Sequence, residues 1–531
     1  MAFSLVEWAA WFSPPSHTIW KVTPMTKTSR VLLVWGSPVV LGITILCQSP
    51  VFASKAGFAE RDITPAIGME QPGGYHKAFH RSLHDPCKVR AALFDDGTKR
   101  VAIVGVDALM VPRCLVLSCR DAIERKCGIP ASAIMIAASH SHSSGPTGMI
   151  QEGEYDHGSD LVRKLAYEES SAADSKYLKR VEEALIDAVC SADAAREAVQ
   201  CGFGSGIEDK AAFNRRFHMH SGLTYTHPGQ GNTDIVERAG PIDPEVGIVA
   251  AWNGDGQLIG CVVNFACHAT TSPGGISANY IHYLEQVIRG VMGKDVVVVF
   301  TAGASADVTQ VDNLSSTRHP KPEQWARLVG GRVGAEAVKV MLSIERSPDF
   351  AVDARSNVLK IRRRVPRPER VKQALELVQK PRDGVDRTEY TFAKETVLLD
   401  AKLAKEPAAD VEVQALQVGP AVFVSNPAEY FCQYGLDIKK GVPFPLTFPV
   451  SLANGCVGYV PTEEALGPHG GGYETRLTSY SNLIPTAGRM IADASIVLAK
   501  QLTPGQIPTR PAHPPFRGNG WSYGNLPPQN D

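Results

Sequence analysis

The run Val296-Val297-Val298-Val299-Phe300 constrains the fold more than any other feature of the chain. A strand with no polar side chain has no face to turn toward water, so it must be covered on both sides. That places it inside a layered protein in which helices pack on a sheet. The flanking sequence supplies the cover, with helical periodicity expected at about 281–292 and 322–344. Further apolar runs at 101–106, 133–138, 246–252, 259–265, 411–418 and 421–425 read as strands. Helices are expected at about 112–126, 177–192, 430–440 and 482–501. Asn253-Gly254-Asp255-Gly256 lies between two strands and reads as a hairpin turn. The expected fold class is α/β, with a mixed β-sheet core and flanking helices. Residues 143–176 are too long and polar for a plain connection and read as a lid or an insertion. Residues 356–403 read as a mixed segment, and no internal repeat is visible.

A chain of 531 residues implies one large domain or two closely packed ones. Its net charge of −1 leaves no electrostatic footprint for nucleic acid. The eleven cysteines form no CxxC pair, which argues against a zinc ribbon or a dithiol redox site. If the protein is exported, Cys114 with Cys119 or Cys127 are near enough in sequence to consider as disulfides, against the alternative of small buried thiols. From Met25 the chain reads as a secretory signal: Lys27 and Arg30, an apolar run from Val31 to about Leu46, then Val51-Phe52-Ala53. Residues 1–55 are therefore a targeting segment, with Met25 a candidate start and cleavage expected after about Ala53. An uncleaved anchor is the competing reading, and export to the periplasm, cell surface or beyond is the expectation. The Pro-rich stretch 503–531 reads as a disordered or loosely draped tail.

The polar residues fall where a site would need them. Four apolar strands end in groups that bind metals or handle protons: Ser139-His140-Ser141-His142, Ala266-Cys267-His268, the turn to Asp307, and Asn426-Pro427-Ala428-Glu429. Ligands of open α/β sheets gather at strand carboxyl ends. Two histidines from separate strands with Glu429 suit zinc and would leave a position for water, whose pKa zinc lowers to about 7. Taken singly, each has a plainer reading. His268 would be a buried histidine bonded to backbone, Glu429 a helix cap and Asp307 a turn residue. Their joint placement at strand ends favours one zinc site there.

At these residues the chain resembles the neutral/alkaline, non-lysosomal ceramidases, from about Gly57 to Lys500. The segments are SHSHSSGPTG at 139–148, NFACHATT at 264–271, NPAEY at 426–430 and NGCVGYVPTEE at 454–464, in the family's order. The resemblance implies that His140, His268, Glu429 and Tyr459 bind one zinc. It implies that His142 moves a proton from water to the leaving amine. Arg215 and Tyr473 would stabilise negative charge on the carbonyl oxygen. Residues 56–502 would form the catalytic domain, and the substrate would be a lipid N-acyl amide, ceramide being cleaved to fatty acid and sphingoid base. Transient contact with a membrane surface would present it. The alternatives are another N-acyl amide, an ester or a cell-wall amide, or a non-catalytic lipid- or glycan-binding protein on the same scaffold. Three departures from the family stand out: an extra serine before Gly145, Asn279 where aspartate is common, and Ala306 before Asp307. The Pro-rich tail follows Lys500 where long ceramidases carry an immunoglobulin-like domain.

Overall fold

A computed structural model describes residues 54–510, 512, 523 and 526–531. The expected targeting segment up to Ala53, and residues 511, 513–522, 524 and 525 of the tail, lie outside the described residues. The start of the tail is packed: Gln417 Nε2 donates to the Thr503 carbonyl at 2.7 Å, and Gly505 N–H donates to Gly419.

Three mixed sheets carry the core. The first runs in the order Ile134–Ala138, Arg100–Val106, Lys88–Asp95, Lys55–Asp62, Glu197–Ala198. The second runs Val297–Ala302, Leu258–Phe265, Glu245–Trp252, Gln200–Ile207, Arg346–Ser347. The third runs Val352–Arg362, Ala408–Val418, Ala421–Ser425, Leu446–Val450. Each sheet has a parallel pair at one end of its order: 134–138 beside 100–106, 297–302 beside 258–265, and 446–450 beside 421–425. The other ladders of these sheets are antiparallel. The expected hairpin joins 245–252 to 258–265, and Gly256 takes the positive φ that its turn requires.

The all-apolar strand is covered as its composition demands. Val298 and Phe300 face a cluster shared with the helices Tyr280–Met292 and Pro322–Met341, while Val299 faces the core of the first sheet. Gly105 of the first sheet lies against the Phe300 backbone, so closely that a Cβ there would sit 2.5 Å from the Phe300 carbonyl oxygen. Helices Arg113–Cys127 and Ser175–Ala194 cover the first sheet's outer face and are joined by a disulfide, Cys127–Cys190. This corrects the expected pairings. Cys114 and Cys127 sit at opposite ends of one helix, about 20 Å apart at 1.5 Å per residue, and Cys119 points into the core as a buried thiol. The segment 143–176 contains the helix Asp160–Tyr167, which packs on Pro368–Val378 and Arg387–Lys405 in a separate apolar cluster. Residues 356–403 resolve into the end of the strand Val352–Arg362 and these two helices. Among the described residues, no helix is long and apolar enough to cross a membrane.

Residues leaving the third sheet stitch it to the other two. Ser451 N–H donates to the Ala302 carbonyl at 2.9 Å, at the edge of the second sheet. Leu452 accepts from Ala138 N–H at 3.1 Å, and Asn454 N–H donates to Ile136 at 2.8 Å, at the edge of the first. The Asn454 side chain completes the seam, accepting from Ile136 N–H at 3.0 Å and donating to Gln414 Oε1 at 2.8 Å. Leu452 and Asn454 both take positive φ to do this, which Asn tolerates and Leu adopts at a cost.

A buried ion-pair network holds the end of 100–106. Asp107 accepts from Arg90 at 2.7 Å and from Lys88 N–H at 2.8 Å, and Arg90 also pairs with Glu285. Burial pushes the Glu285 carboxyl up, but Arg90 and Lys88 outweigh it and hold it down at about 2. A depressed carboxylate contributes stability that is present above the unfolded pKa of about 4.3 and is lost as pH falls toward 2. Acid titration of the unfolding free energy should therefore show a loss on the order of 2–3 kcal/mol in that window. Glu285→Gln should flatten that step. Asn454→Ala, which leaves Ile136 N–H and Gln414 Oε1 unpaired, should cost about 2–4 kcal/mol in urea unfolding.

Candidate functional site

The three parallel pairs deliver their carboxyl ends to one place. Beyond Ala138 the chain is strapped by Ser139 N–H to Val106 and Ser141 N–H to Ala108, and His140 between them takes φ 63°. A bulky residue in that region is held there only by surrounding structure, and such positions cluster at functional sites. His140 Nδ1 lies 2.9 Å from the Leu109 carbonyl. A carbonyl only accepts, so Nδ1 carries a proton, and in the neutral ring Nε2 then presents a lone pair. His268 follows the strand 258–265 and is fixed in the same way, Nδ1 donating to Ser305 at 2.7 Å. Glu429 follows 421–425 and forms a short parallel ladder with Tyr459, its N–H donating to the Gly458 carbonyl at 2.9 Å.

The consequence is three acceptor atoms without a proton among them. His140 Nε2 and His268 Nε2 are 3.1 Å apart, and Glu429 Oε2 lies 3.3 Å from the first and 3.2 Å from the second. Glu429 Oε2 is buried and makes no hydrogen bond. Lone pairs so arranged repel unless a cation lies between them. A tetrahedral metal with bonds of about 2.0–2.1 Å to nitrogen and oxygen separates its ligand atoms by roughly 3.3 Å, so the spacing fits such an ion.

His142 adds a third imidazole, Nε2 lying 3.3 Å from His140 Nε2. The ligand atoms of His140, His142 and His268 all fall within 4.8 Å of one another, so these three could themselves hold a metal. Burial, and then the neighbouring His140 and His268, keep the His142 ring well below its usual pKa and therefore neutral. Gly73 packs flat on this ring; a Cβ there would lie 2.3 Å from His142 Nδ1. Tyr459 shares a hydroxyl contact of 3.1 Å with Tyr473 and accepts from Arg215 at 3.4 Å. Burial and then the Glu429 carboxylate push the Tyr459 hydroxyl well above its ordinary range.

All seven residues singled out in the sequence thus meet in one neighbourhood, in two ranks. His140, His142, Glu429, Tyr459 and Tyr473 line a cavity of about 460 Å³. Arg215 stands behind the tyrosines, donating from Nε to Glu474 at 2.9 Å and from Nη2 to the Ala306 carbonyl, with its guanidinium 5.2 Å from the centre of the Tyr473 ring. Asp307 is fully engaged as an organiser: Oδ1 accepts from Cys432 N–H and Oδ2 from Asn214 Nδ2, each at 2.8 Å. The fourth strand ending therefore contributes mainly backbone, through the carbonyls of Ser305 and Ala306. Asn279, just before the helix Tyr280–Met292, accepts from Thr271 N–H at 2.8 Å.

Sequence reading missed the walls of this cavity. Tyr75 and Phe392 line it from a loop and from the first turns of the helix Arg387–Lys405, and Met149 represents 143–176 there. Glu474, which anchors Arg215 and accepts from Thr226 Oγ1 at 2.6 Å, was also missed, although it adjoins Tyr473 in the chain.

No protein-family profile and no curated protein matches the sequence. Solved structures do match the fold. The neutral ceramidase of Pseudomonas aeruginosa superposes with a TM-score of 0.63 at 18% identity, over 87% of this chain and 76% of that one. A ceramidase complexed with C2 matches with a TM-score of 0.61 at 17% identity, over 87% and 77%. The chain has a neutral ceramidase-like α/β fold.

If the lone-pair cluster holds an ion, elemental analysis of the purified protein should find about one divalent metal per chain. His268→Ala should abolish it while leaving far-ultraviolet circular dichroism unchanged. A metal-free wild-type protein after reconstitution would contradict the assignment.

Proposed function

We propose that this protein is a zinc-dependent hydrolase that cleaves an N-acyl amide, with ceramide as the leading substrate and a fatty acid and a sphingoid base as products. The observation that carries the reading is the convergence of three acceptor atoms, of His140, His268 and Glu429, the first and last of which line a largely apolar cavity. His140, His268, Glu429 and Tyr459 would hold the ion, all nitrogen and oxygen donors of the kind zinc takes. When bound, zinc supplies a Lewis acid that polarises the amide carbonyl and acidifies water.

The remaining chemistry belongs to the side chains. His142, neutral and within reach of the cluster, takes the proton released as water adds to the carbonyl carbon and delivers it to the amine nitrogen as the C–N bond breaks. The Tyr473 hydroxyl faces the cavity and donates to the oxygen on which negative charge develops. Arg215 acts through the two tyrosines, biasing their hydroxyls toward that charge with a guanidinium held in place by Glu474. Leu109, Met149 and Phe392 give the cavity an apolar wall for an acyl chain and reduce the water around the reacting carbonyl. Residues 56–502 would be the catalytic domain of an exported protein that meets its lipid at a membrane surface, and residues 1–55 would direct export.

The test is turnover of a labelled ceramide and of short N-acyl amides by the purified protein. Hydrolysis should vanish on chelation and return with zinc. His142→Ala should lower kcat by about a hundredfold or more with metal content unchanged. A loss below tenfold would remove His142 from proton transfer. Stoichiometric lipid binding without turnover would replace the hydrolase reading with that of a binding protein.

A further inference from the structure

Ser277 bonds through both of its backbone groups to the turn that carries His140 and His142. Ser141 Oγ donates to the Ser277 carbonyl at 2.8 Å, and Ser277 N–H donates to the Ser143 carbonyl at 2.9 Å. Two positions further on, Asn279 takes φ 65° and accepts from Thr271 N–H, just beyond His268. The segment 277–279 therefore touches both histidine-bearing stretches. Its own conformation is held by Asp85. The Asp85 carboxylate accepts from Ser277 Oγ at 2.5 Å and from Ala278 N–H at 2.7 Å, while Asn279 N–H donates to Ser277 Oγ at 2.8 Å. Asp85 and Ser277 are both buried. A buried carboxylate is costly unless it is paired as well as hydrogen-bonded. Among the described residues no Lys or Arg pairs with Asp85; His84 Nε2 and His282 Nδ1 lie 3.9 Å away on its outer side. Its hydrogen bonds are what remain to account for it. The turn at 277–278 presents two donors side by side, and a carboxylate offers two acceptors and no donor, whereas an amide would turn a donor toward one of them.

We propose that Asp85 is a positioning residue for His140 and His142, acting through Ser277. The proposal rests on the reading of the histidine cluster as the metal-binding centre of a hydrolase. Asp85 does not line the cavity, so its effect is indirect. His140 sits at φ 63°, a conformation kept by its surroundings, and Ser277 is part of what keeps it. If Ser277 shifts, Ser141 and Ser143 lose their partner and the turn relaxes. The Nε2 of His140 must stay near its 3.1 Å from His268 Nε2 and 3.3 Å from Glu429 Oε2 for one ion to be shared. A displacement on the order of 1 Å is enough to spoil such a site.

The experiment measures Co2+ affinity of the metal-free full chain from the visible absorption of the bound ion, with ceramide turnover alongside. Asp85→Asn keeps the shape of the side chain and replaces one acceptor by a donor. Ser277→Ala, the milder change, removes only the hydroxyl and decides the matter if Asp85→Asn does not fold. Asp85→Asn should weaken Co2+ binding about tenfold or more, and Ser277→Ala should act in the same direction by less. In turnover, kcat should fall about tenfold or more with KM unchanged, because the apolar wall at Leu109, Met149 and Phe392 is untouched. Glu412→Gln is the comparison for stability alone: it weakens a buried pair with Arg113 and Arg120, each at 2.7 Å, and makes no hydrogen bond to 139–144 or 277–279. It should lower the unfolding midpoint and leave Co2+ affinity as it was. Wild-type affinity in Asp85→Asn and Ser277→Ala, or an equal loss in Glu412→Gln, would overturn the positioning role. Weaker Co2+ binding in the variants with no ceramide turnover by wild-type protein would keep that role and sink the hydrolase reading. Ceramide turnover with affinity unchanged in both variants would do the reverse. Wild-type protein that binds no Co2+ would overturn both.

Discussion

Residues 451–454 hold the rest of this structure in relation. They leave the third sheet and pair by backbone with the edge of the second at Ala302 and with the edge of the first at Ile136 and Ala138. Each of those edges is the parallel strand of its sheet, and parallel neighbours end on the same side. Joining the three edges therefore joins three sets of carboxyl ends. His140, His268 and Glu429 come within about 3.3 Å of one another because the seam leaves them nowhere else to go. The seam itself depends on Asn454, whose side chain is donor to one sheet and acceptor from another.

Assembly on these terms stores unfavourable energy at the site. His140 and Leu452 occupy the left-handed region, where a side chain costs roughly 1–3 kcal/mol, and Glu429 brings a buried carboxylate with no hydrogen bond to one of its oxygens. Arg215 and Glu474 form a buried pair that is expensive to break and gains little in stability over apolar packing. These costs are borne by the surrounding layers, whose apolar strands and helices need nothing from the site. A cation among the acceptors would return part of the energy, so the metal-bound state should be the more stable one.

The likeness to ceramidase structures at 17–18% identity has the same logic. Three mixed sheets require only apolar alternation, turns and a few close glycine contacts such as Gly105, which many sequences satisfy. The polar residues that must be particular are few and sit at strand ends. In this chain Asn279 accepts from Thr271 N–H, and Ala306 offers Arg215 only its carbonyl.

What could be read from the sequence is what short-range physics determines. Val296–Phe300 had to be covered on both faces, and Val298, Phe300 and Val299 divide between two cores accordingly. Strands ending in His140, His268 and Glu429 pointed to a shared site because a strand end is a local property and its chemistry is written in the next few residues. What lay beyond local reading was decided by contacts between distant segments. Cys127 pairs with Cys190, across 63 residues, because two helices pack side by side, which no spacing within one helix could indicate. The cavity is walled by Tyr75 and Phe392, with Met149 the contribution of 143–176, since the helix Asp160–Tyr167 turns its apolar face to the neighbouring helices. Glu474 became the anchor of Arg215 only through tertiary placement. Periodicity and turn chemistry select elements and their ends, whereas the partners of a buried charge or hydroxyl are chosen by how those elements pack.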